Sequence, residues 1–457
     1  MNPEFRRNLW LEFSVQRLIV MPLVLALIFA AVYITRDDPR RGFSTIVLLA
    51  KPMFLVLAVF WGTRLAAAAV AREVQDRTWD GQRLSALDPW SMAWGKLFGS
   101  TSYAWFGAGI CLAVILFVPF PLDEPGRPLP LDALEFAIVA LLCHATALLT
   151  SLVYLDRRTA SSRVDVTFIH AAGLIPAGIW PFLDLPDALV WHGTAVDGHW
   201  FVVLSLAAFA GWAVLGAYRR MRTTLQFRAR PWAWTLFNLF LVVWLLGFVP
   251  EPGWLWAGFL AAFLLSAAWT YLLLLVEPKD VVGYRRTLRD LRAGDWGRAL
   301  EGVPLWFLNV VFCALLALAV LATAPAANLP AETGFSALIE HLSAGEIPPS
   351  VLRHFEIVLV AALLFLLRDI AVMLFASLGQ RTRRAELAAA VYWLVLYLAL
   401  PILVLTATGG NFSAFFYPTG IDGAALAIGA PLAEAVLVWA AVAMRWHRRM
   451  RRLPAAG

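Results

Sequence analysis

The chain has 457 residues, of which 61% are hydrophobic and 15% charged, with a mean hydropathy of +0.73 and a net charge of +6. A water-soluble domain carries about 45–50% apolar and about 25% charged residues, because its large surface needs polar cover. The composition excludes a soluble enzyme, a secreted disulfide scaffold and a nucleic-acid-binding module. The apolar runs are continuous and about twenty residues long, as in membrane-spanning helices, not the short alternating strands of a barrel.

In chain order, twelve runs are predicted to span the bilayer: roughly 17–35, 45–70, 97–120, 134–155, 164–183, 200–218, 232–249, 254–276, 303–324, 352–378, 387–407 and 422–444. The first follows Arg6 and Arg7, like a signal sequence, but is too long for one and is read as a retained anchor. With the N-terminus inside, 30 of the 37 Lys and Arg residues fall on inner segments or span ends. The positive-inside rule then puts both termini in the cytoplasm. The expected fold class is an all-α polytopic membrane protein of about 12 transmembrane helices.

Twelve spans with both ends inside suggest a 6+6 parallel repeat, with halves at 1–231 and 232–457. Thr194-Ala195-Val196-Asp197-Gly198 and Thr419-Gly420-Ile421-Asp422-Gly423 each precede one apolar span and an Arg-Arg-Met-Arg cluster, at 219–222 and 448–451. An even number of spans returns the chain to the same side, so the repeat is not inverted.

Within the spans, three ionisable residues stand out, since charge at membrane depth is costly and marks function or locking. Glu434 lies near the middle of the twelfth run, and Arg368 and Asp369 near the middle of the tenth. Neighbours on a helix point about 100° apart, so Arg368 and Asp369 are not expected to satisfy each other fully. An Arg368–Glu434 pair between spans is one reading. The other ends the tenth span near Leu367 and leaves Arg368 at the inner surface. His144 and His170 are expected to hydrogen-bond neighbouring helices, because no second ligand stands at metal spacing. Cys111, Cys143 and Cys313 are scattered in apolar runs and read as core residues.

The inner segment 72–96, between the second and third runs, is polar and carries a thin apolar stripe at Val74, Thr78, Gly81 and Leu84. It is predicted to form a rigid amphipathic helix that ends at Asp88-Pro89, with Lys96 snorkelling at the start of the third span. Glu73, Arg77-Thr78, Leu84 and Leu87, Asp88-Pro89, Ser91 and Gly95-Lys96 together resemble the signature of ABC-2-type exporter membrane subunits. Arg77 departs from the usual Gly, and Asp88 from the usual Thr or Ser before Pro. The match covers about 30 residues. The second-half loop from Glu277 to Gly302 is basic and lacks the signature.

The resemblance implies a permease subunit whose coupling segment (Glu73, Arg77, Thr78, Arg83, Leu84, Asp88, Pro89, Gly95 and Lys96) docks on a separate ATP-binding cassette subunit. It also implies a bacterial-type cytoplasmic (inner) membrane, and twelve spans would correspond to two fused halves. This chain would hold no cofactor, with ATP on the partner. The Gly-x-x-x-x-Gly-Lys-Ser/Thr phosphate loop is absent, because position 90 is Trp and Leu97 follows Lys96. Transport of a small-molecule or lipid-like substrate is expected rather than catalysis. The alternative is an ion- or proton-coupled secondary transporter with Arg368, Asp369 and Glu434 at its coupling site.

Overall fold

The computed structural model describes residues 2–85, 87–118, 129–155, 165–182, 186, 188–227, 230–279, 281–324, 355–378, 385–408, 412–418 and 423–450. The Thr419–Asp422 part of the second repeat motif lies outside these residues, as do Arg157, Arg158 and Arg163.

The described chain begins with a short helix that the hydropathy pattern does not reveal, α1 (Pro3–Glu12). It continues through α2 (Val15–Ile34), α3 (Pro39–Gln75), α4 (Trp79–Arg83), α5 (Pro89–Gly99), α6 (Ser102–Phe117), α7 (Leu129–Leu155) and α8 (Val166–Ile179). A hairpin of β1 (Ala188–Trp191) and β2 (Thr194–Asp197) leads into α9 (Gly198–Thr224). Then come α10 (Trp232–Leu246), α11 (Leu255–Val276), α12 (Val281–Arg292), α13 (Trp296–Gly302), α14 (Leu305–Thr323), α15 (Phe355–Ser377), α16 (Ala388–Thr408) and α17 (Ala424–Met450).

Among the described residues, nine helices are long and apolar enough to cross a membrane. A tenth crossing is available if α5 and α6, bent by 52° at their junction, count as one. The predicted runs 164–183 and 232–249 become the shorter apolar helices α8 and α10. In α8 the α-helix breaks at Leu174. Pro176, two residues on, has no backbone N–H to continue the ladder. The hairpin after α8 was not expected. Its turn, His192-Gly193, has both residues left-handed (φ 49° and 73°), the geometry a two-residue hairpin favours.

The chain divides into two compact units, Met1–Val190 with Thr194–Ala233, and Trp191–Gly193 with Trp234–Gly457. Each is organised around one central helix. In the first unit α7 is 61% buried over its apolar window, against 17% for α2. It packs along α9 and against the Ala-rich end of α3, where Ala66, Ala67 and Ala71 meet Ala147. Small side chains let the backbones come close, which is how helices associate without a hydrophobic drive. In the second unit α15 is also 61% buried and packs along α17, while α11 packs along α14. Buried Asn309 on α14 ties that second pair, donating to the Ser266 carbonyl (2.6 Å) and Thr270 Oγ1 (2.8 Å). The Glu277 carboxylate caps α14, accepting from the Leu305 and Trp306 amides at 3.0 and 3.2 Å.

The remaining apolar surface needs a non-aqueous solvent. Leu18, Ile19, Val20, Leu23, Val24 and Leu27 of α2 are all exposed, as are Leu398, Ile402 and Leu403 of α16. Contiguous apolar faces of this extent do not occur on soluble monomers. The chain is therefore a multi-pass helical membrane protein.

Candidate functional site

The 72–96 segment is not the single amphipathic helix expected. α3 ends at Gln75, and Arg77 turns left-handed (φ 59°), a conformation an L-residue other than Gly adopts at a cost. Only the five residues of α4 are helical before the chain opens again at Leu84. Asp88-Pro89 starts a helix instead of ending one. Asp88 Oδ1 accepts from the Trp90 and Ser91 amides, both at 3.0 Å, and Pro89 takes the first helical position. The Ser91 hydroxyl, then its amide, hold the Asp88 carboxyl below the usual carboxylate range. The expectation failed because the restriction falls on Asp88, which as N-cap is extended anyway, while Pro89 stands in the first turn, where its missing N–H has no helical partner to lose.

Lys96 does not snorkel. It is 1% exposed and sits inside a cluster of acceptors. Its Nζ reaches Glu4 Oε1 at 3.1 Å, Gln82 Oε1 at 2.8 Å and Glu73 Oε2, and lies 5.4 Å from the Trp79 ring centre. Gln82 Nε2 donates to Glu73 Oε1 at 2.6 Å, and Arg7 closes the ring by pairing with Glu73 and, at 3.3 Å, with Glu4. Two cations thus meet two carboxylates, and α1, α3, α4 and α5 are joined at one point. The close seat of α1 on α5 requires Gly95, where a Cβ would stand 2.6 Å from Glu4 Cβ and 2.8 Å from the Phe5 amide. Asn2 Nδ2 adds a bond to the Ser91 carbonyl at 2.6 Å.

The expected partner-facing residues therefore divide into two sets. Glu73 and Lys96 are committed to each other inside the unit. Arg77, Thr78, Arg83, Leu84 and Asp88 remain exposed, with Leu84 at 89%. Sequence reasoning missed Glu4, Arg7, Trp79 and Gln82. The one available signal was Asn2-Pro3-Glu4, an N-cap with an acid in the first turn, which announces α1.

The second cluster lies in the middle of α15, which runs unbroken from Phe355 to Ser377, so the span does not end at Leu367. Arg368 is 1% exposed and Asp369 fully buried. Arg368 Nη1 donates to Glu434 Oε2 of α17 at 2.7 Å. Arg368 also reaches Asp369, but only in part: Nε and Nη2 approach Asp369 Oδ1 at 3.1 and 3.0 Å, and Oδ2 is left to other donors. The 100° between neighbours applies to Cβ directions, and the long arginine side chain bends back across it. Asp369 Oδ2 accepts from two phenols that sequence reasoning missed, Tyr271 of α11 (2.7 Å) and Tyr397 of α16 (2.6 Å). The guanidinium lies over Phe365 and Tyr397, 4.5 and 4.9 Å from the ring centres. Asp369 thus has four donors, and Glu434, with a side chain 26% exposed, has one.

The histidines act on backbone. Residues Leu55–Gly62 of α3 form a π-helical stretch. His144 Nε2 of α7 bonds the Ala58 carbonyl at 2.8 Å, and His170 Nε2 of α8 bonds the Phe60 carbonyl at 2.9 Å. Such stretches leave carbonyls short of partners, and the two imidazoles supply them. Gly62 is needed here, because a Cβ would overlap the His144 ring. The three cysteines are buried thiols. Among the described residues no group of three His, Cys, Asp or Glu side chains is placed to hold a metal.

No protein-family model, curated protein or solved structure matches this chain.

Proposed function

We propose that this chain is the membrane-embedded subunit of an ABC-2-type exporter, driven by a separate ATP-binding cassette subunit at the cytoplasmic face of a bacterial-type inner membrane. The observation that carries the reading is the mechanical build of segment 72–96. A short exposed helix, α4, is joined through Gln82 and the Lys96 cluster to the ends of α3 and α5. Force applied to α4 would pass to both helices through charge-assisted bonds, not through a loose loop. The left-handed backbone at Arg77 also supports the reading. This is the position where the resembled signature carries Gly, the residue that adopts that conformation without steric cost. The exposed contacts for a partner are then Arg77, Thr78, Arg83 and Leu84, while Glu73, Gly95 and Lys96 brace them from inside.

The test is purification of the tagged chain from its native membranes in mild detergent. An ATPase subunit should accompany it. Leu84→Glu, at a site 89% exposed, should release that subunit while the melting temperature holds. Recovery of a transport-competent chain with no companion ATPase would defeat the proposal.

A second reading, an ion- or proton-coupled carrier, draws on the cluster in α15. One guanidinium there faces two carboxylates, a formal surplus of one negative charge that a bound proton or monovalent cation would neutralise. Glu434 would be the exchanging group, since Asp369 is already saturated with donors. Solute uptake in vesicles that follows an imposed ion gradient, without ATP, would favour this reading over the first.

A further inference from the structure

A second feature of the first unit is independent of which motor drives the protein. Between α1, α2, α3 and α6 lies a cavity of about 250 Å³ lined by Glu12, Arg17, Trp61, Leu65, Arg72 and Tyr103. We infer that it is a binding site for the phosphate headgroup of an anionic phospholipid.

Four observations lead there. The first is depth. Arg17 lies in the first turn of α2, Arg72 in the last turn of α3, and Tyr103 in the first turn of α6. All three helix ends face this one cavity, and the positive-inside reading of the sequence sets them at the inner headgroup layer. The second is charge. Arg17 Nη1 is engaged by the Glu12 carboxylate at 3.0 Å and by the Glu12 carbonyl at 2.9 Å. That pair cancels, and the guanidinium of Arg72 makes no ion pair or hydrogen bond among the described residues, so the cavity keeps one uncompensated positive charge. The Nε and Nη2 groups of Arg17 also remain available as donors. Two planar forks are what a phosphate takes in preference to point charges.

The third observation is the wall. Trp61, Leu65 and Arg72 share one face of α3, with Leu65 buried. Tyr103 is held in place, its hydroxyl donating to the Arg17 carbonyl at 3.1 Å and its ring edge-on to Trp61 at 5.5 Å. The Arg17 guanidinium lies 5.5 Å from the centre of that ring. The site is therefore apolar on its deep side and cationic at its rim, as an amphiphile with a charged head requires. The fourth is size. Cavities for whole drug-sized ligands run to about 300–1,000 Å³, so this one suits a headgroup with its acyl chains left in the bilayer.

The full-length wild-type chain, purified in a neutral detergent, is titrated with dioleoyl phosphatidylglycerol, dioleoyl phosphatidylcholine or inorganic phosphate, with bound mass read by native mass spectrometry. Phosphatidylglycerol should bind about tenfold more tightly than phosphatidylcholine, and inorganic phosphate should not displace it. The preference should vanish in R17Q/R72Q and persist in R64Q, which removes an exposed arginine of the same helix outside the cavity. The lipid comparison on the wild type needs no variant to fold. Equal binding of the two lipids, displacement by inorganic phosphate at equal concentration, or an unchanged preference in a folded R17Q/R72Q protein would overturn the assignment.

Discussion

Lys96 and Arg368 are equally buried, yet the protein has solved the two burials differently. Lys96 sits at the edge of its unit, where an ammonium on a flexible stem is met from three sides by Glu4, Glu73 and Gln82, and Arg7 at 43% exposure balances the second acid. Arg368 sits in mid-span, where its planar fork bridges Asp369 and Glu434 at once and stacks on two rings. The first cluster is charge-balanced and joins elements near water. The second carries surplus negative charge and joins α11, α15, α16 and α17 far from it. A point charge suits convergence of separate helices, whereas a fork suits a fixed geometry between two carboxylates.

The sharpest way to break this comparison is to remove each cation. Arg368→Ala strands Asp369 in an apolar interior and is expected to cost about 4 kcal/mol, enough to abolish recovery of folded protein. Arg368→Lys should rescue little, because one ammonium cannot span both acids. If Arg368→Lys matches wild type in detergent melting, the fork is not essential. Lys96→Met should cost less, about 3 kcal/mol, because Arg7, itself partly exposed, still pairs with both Glu73 and Glu4. Its partial rescue should come from removing the charge it leaves behind, in Lys96→Met with Glu73→Gln. Failure of that double variant to recover stability would show that Lys96 acts by shape and not by charge. The smallest effect concerns the cap beside the first cluster. Asp88→Ala should cost about 1 kcal/mol of stability near neutral pH. Because the carboxyl is held low in the folded protein, the cap contributes fully above the unfolded carboxylate range and is lost as pH falls through the lower folded value. The melting difference between wild type and Asp88→Ala should therefore be constant from pH 8 to pH 6 and close below about pH 4.

Hydropathy made the membrane class legible because desolvation of a continuous apolar run is a local property. What it could not show was where a run breaks. Pro176 splits α8, and the bend between α5 and α6 follows a π-helical stretch at Gly95–Gly99 that has no hydropathic trace. The chemistry of the clusters was half legible. Depth alone singled out Arg368, Asp369 and Glu434, but the tyrosines that saturate Asp369 come from spans 98 residues before and 28 after it in sequence. Lys96 was misread for the same reason. Glu4, the acid that helps bury it, is 92 residues away on a helix whose only mark was a cap.

α3 has 37 residues, which at about 1.5 Å each makes a rod near 55 Å, well beyond the ~30 Å of a bilayer's hydrocarbon layer. The stretch that His144 and His170 grip, Leu55–Gly62, falls at its midpoint. A rod clasped at its centre is a seesaw. A swing of about 10° about that fulcrum would carry the Glu73 end through roughly 4 Å, and the Arg40 end through roughly 5 Å in the opposite direction.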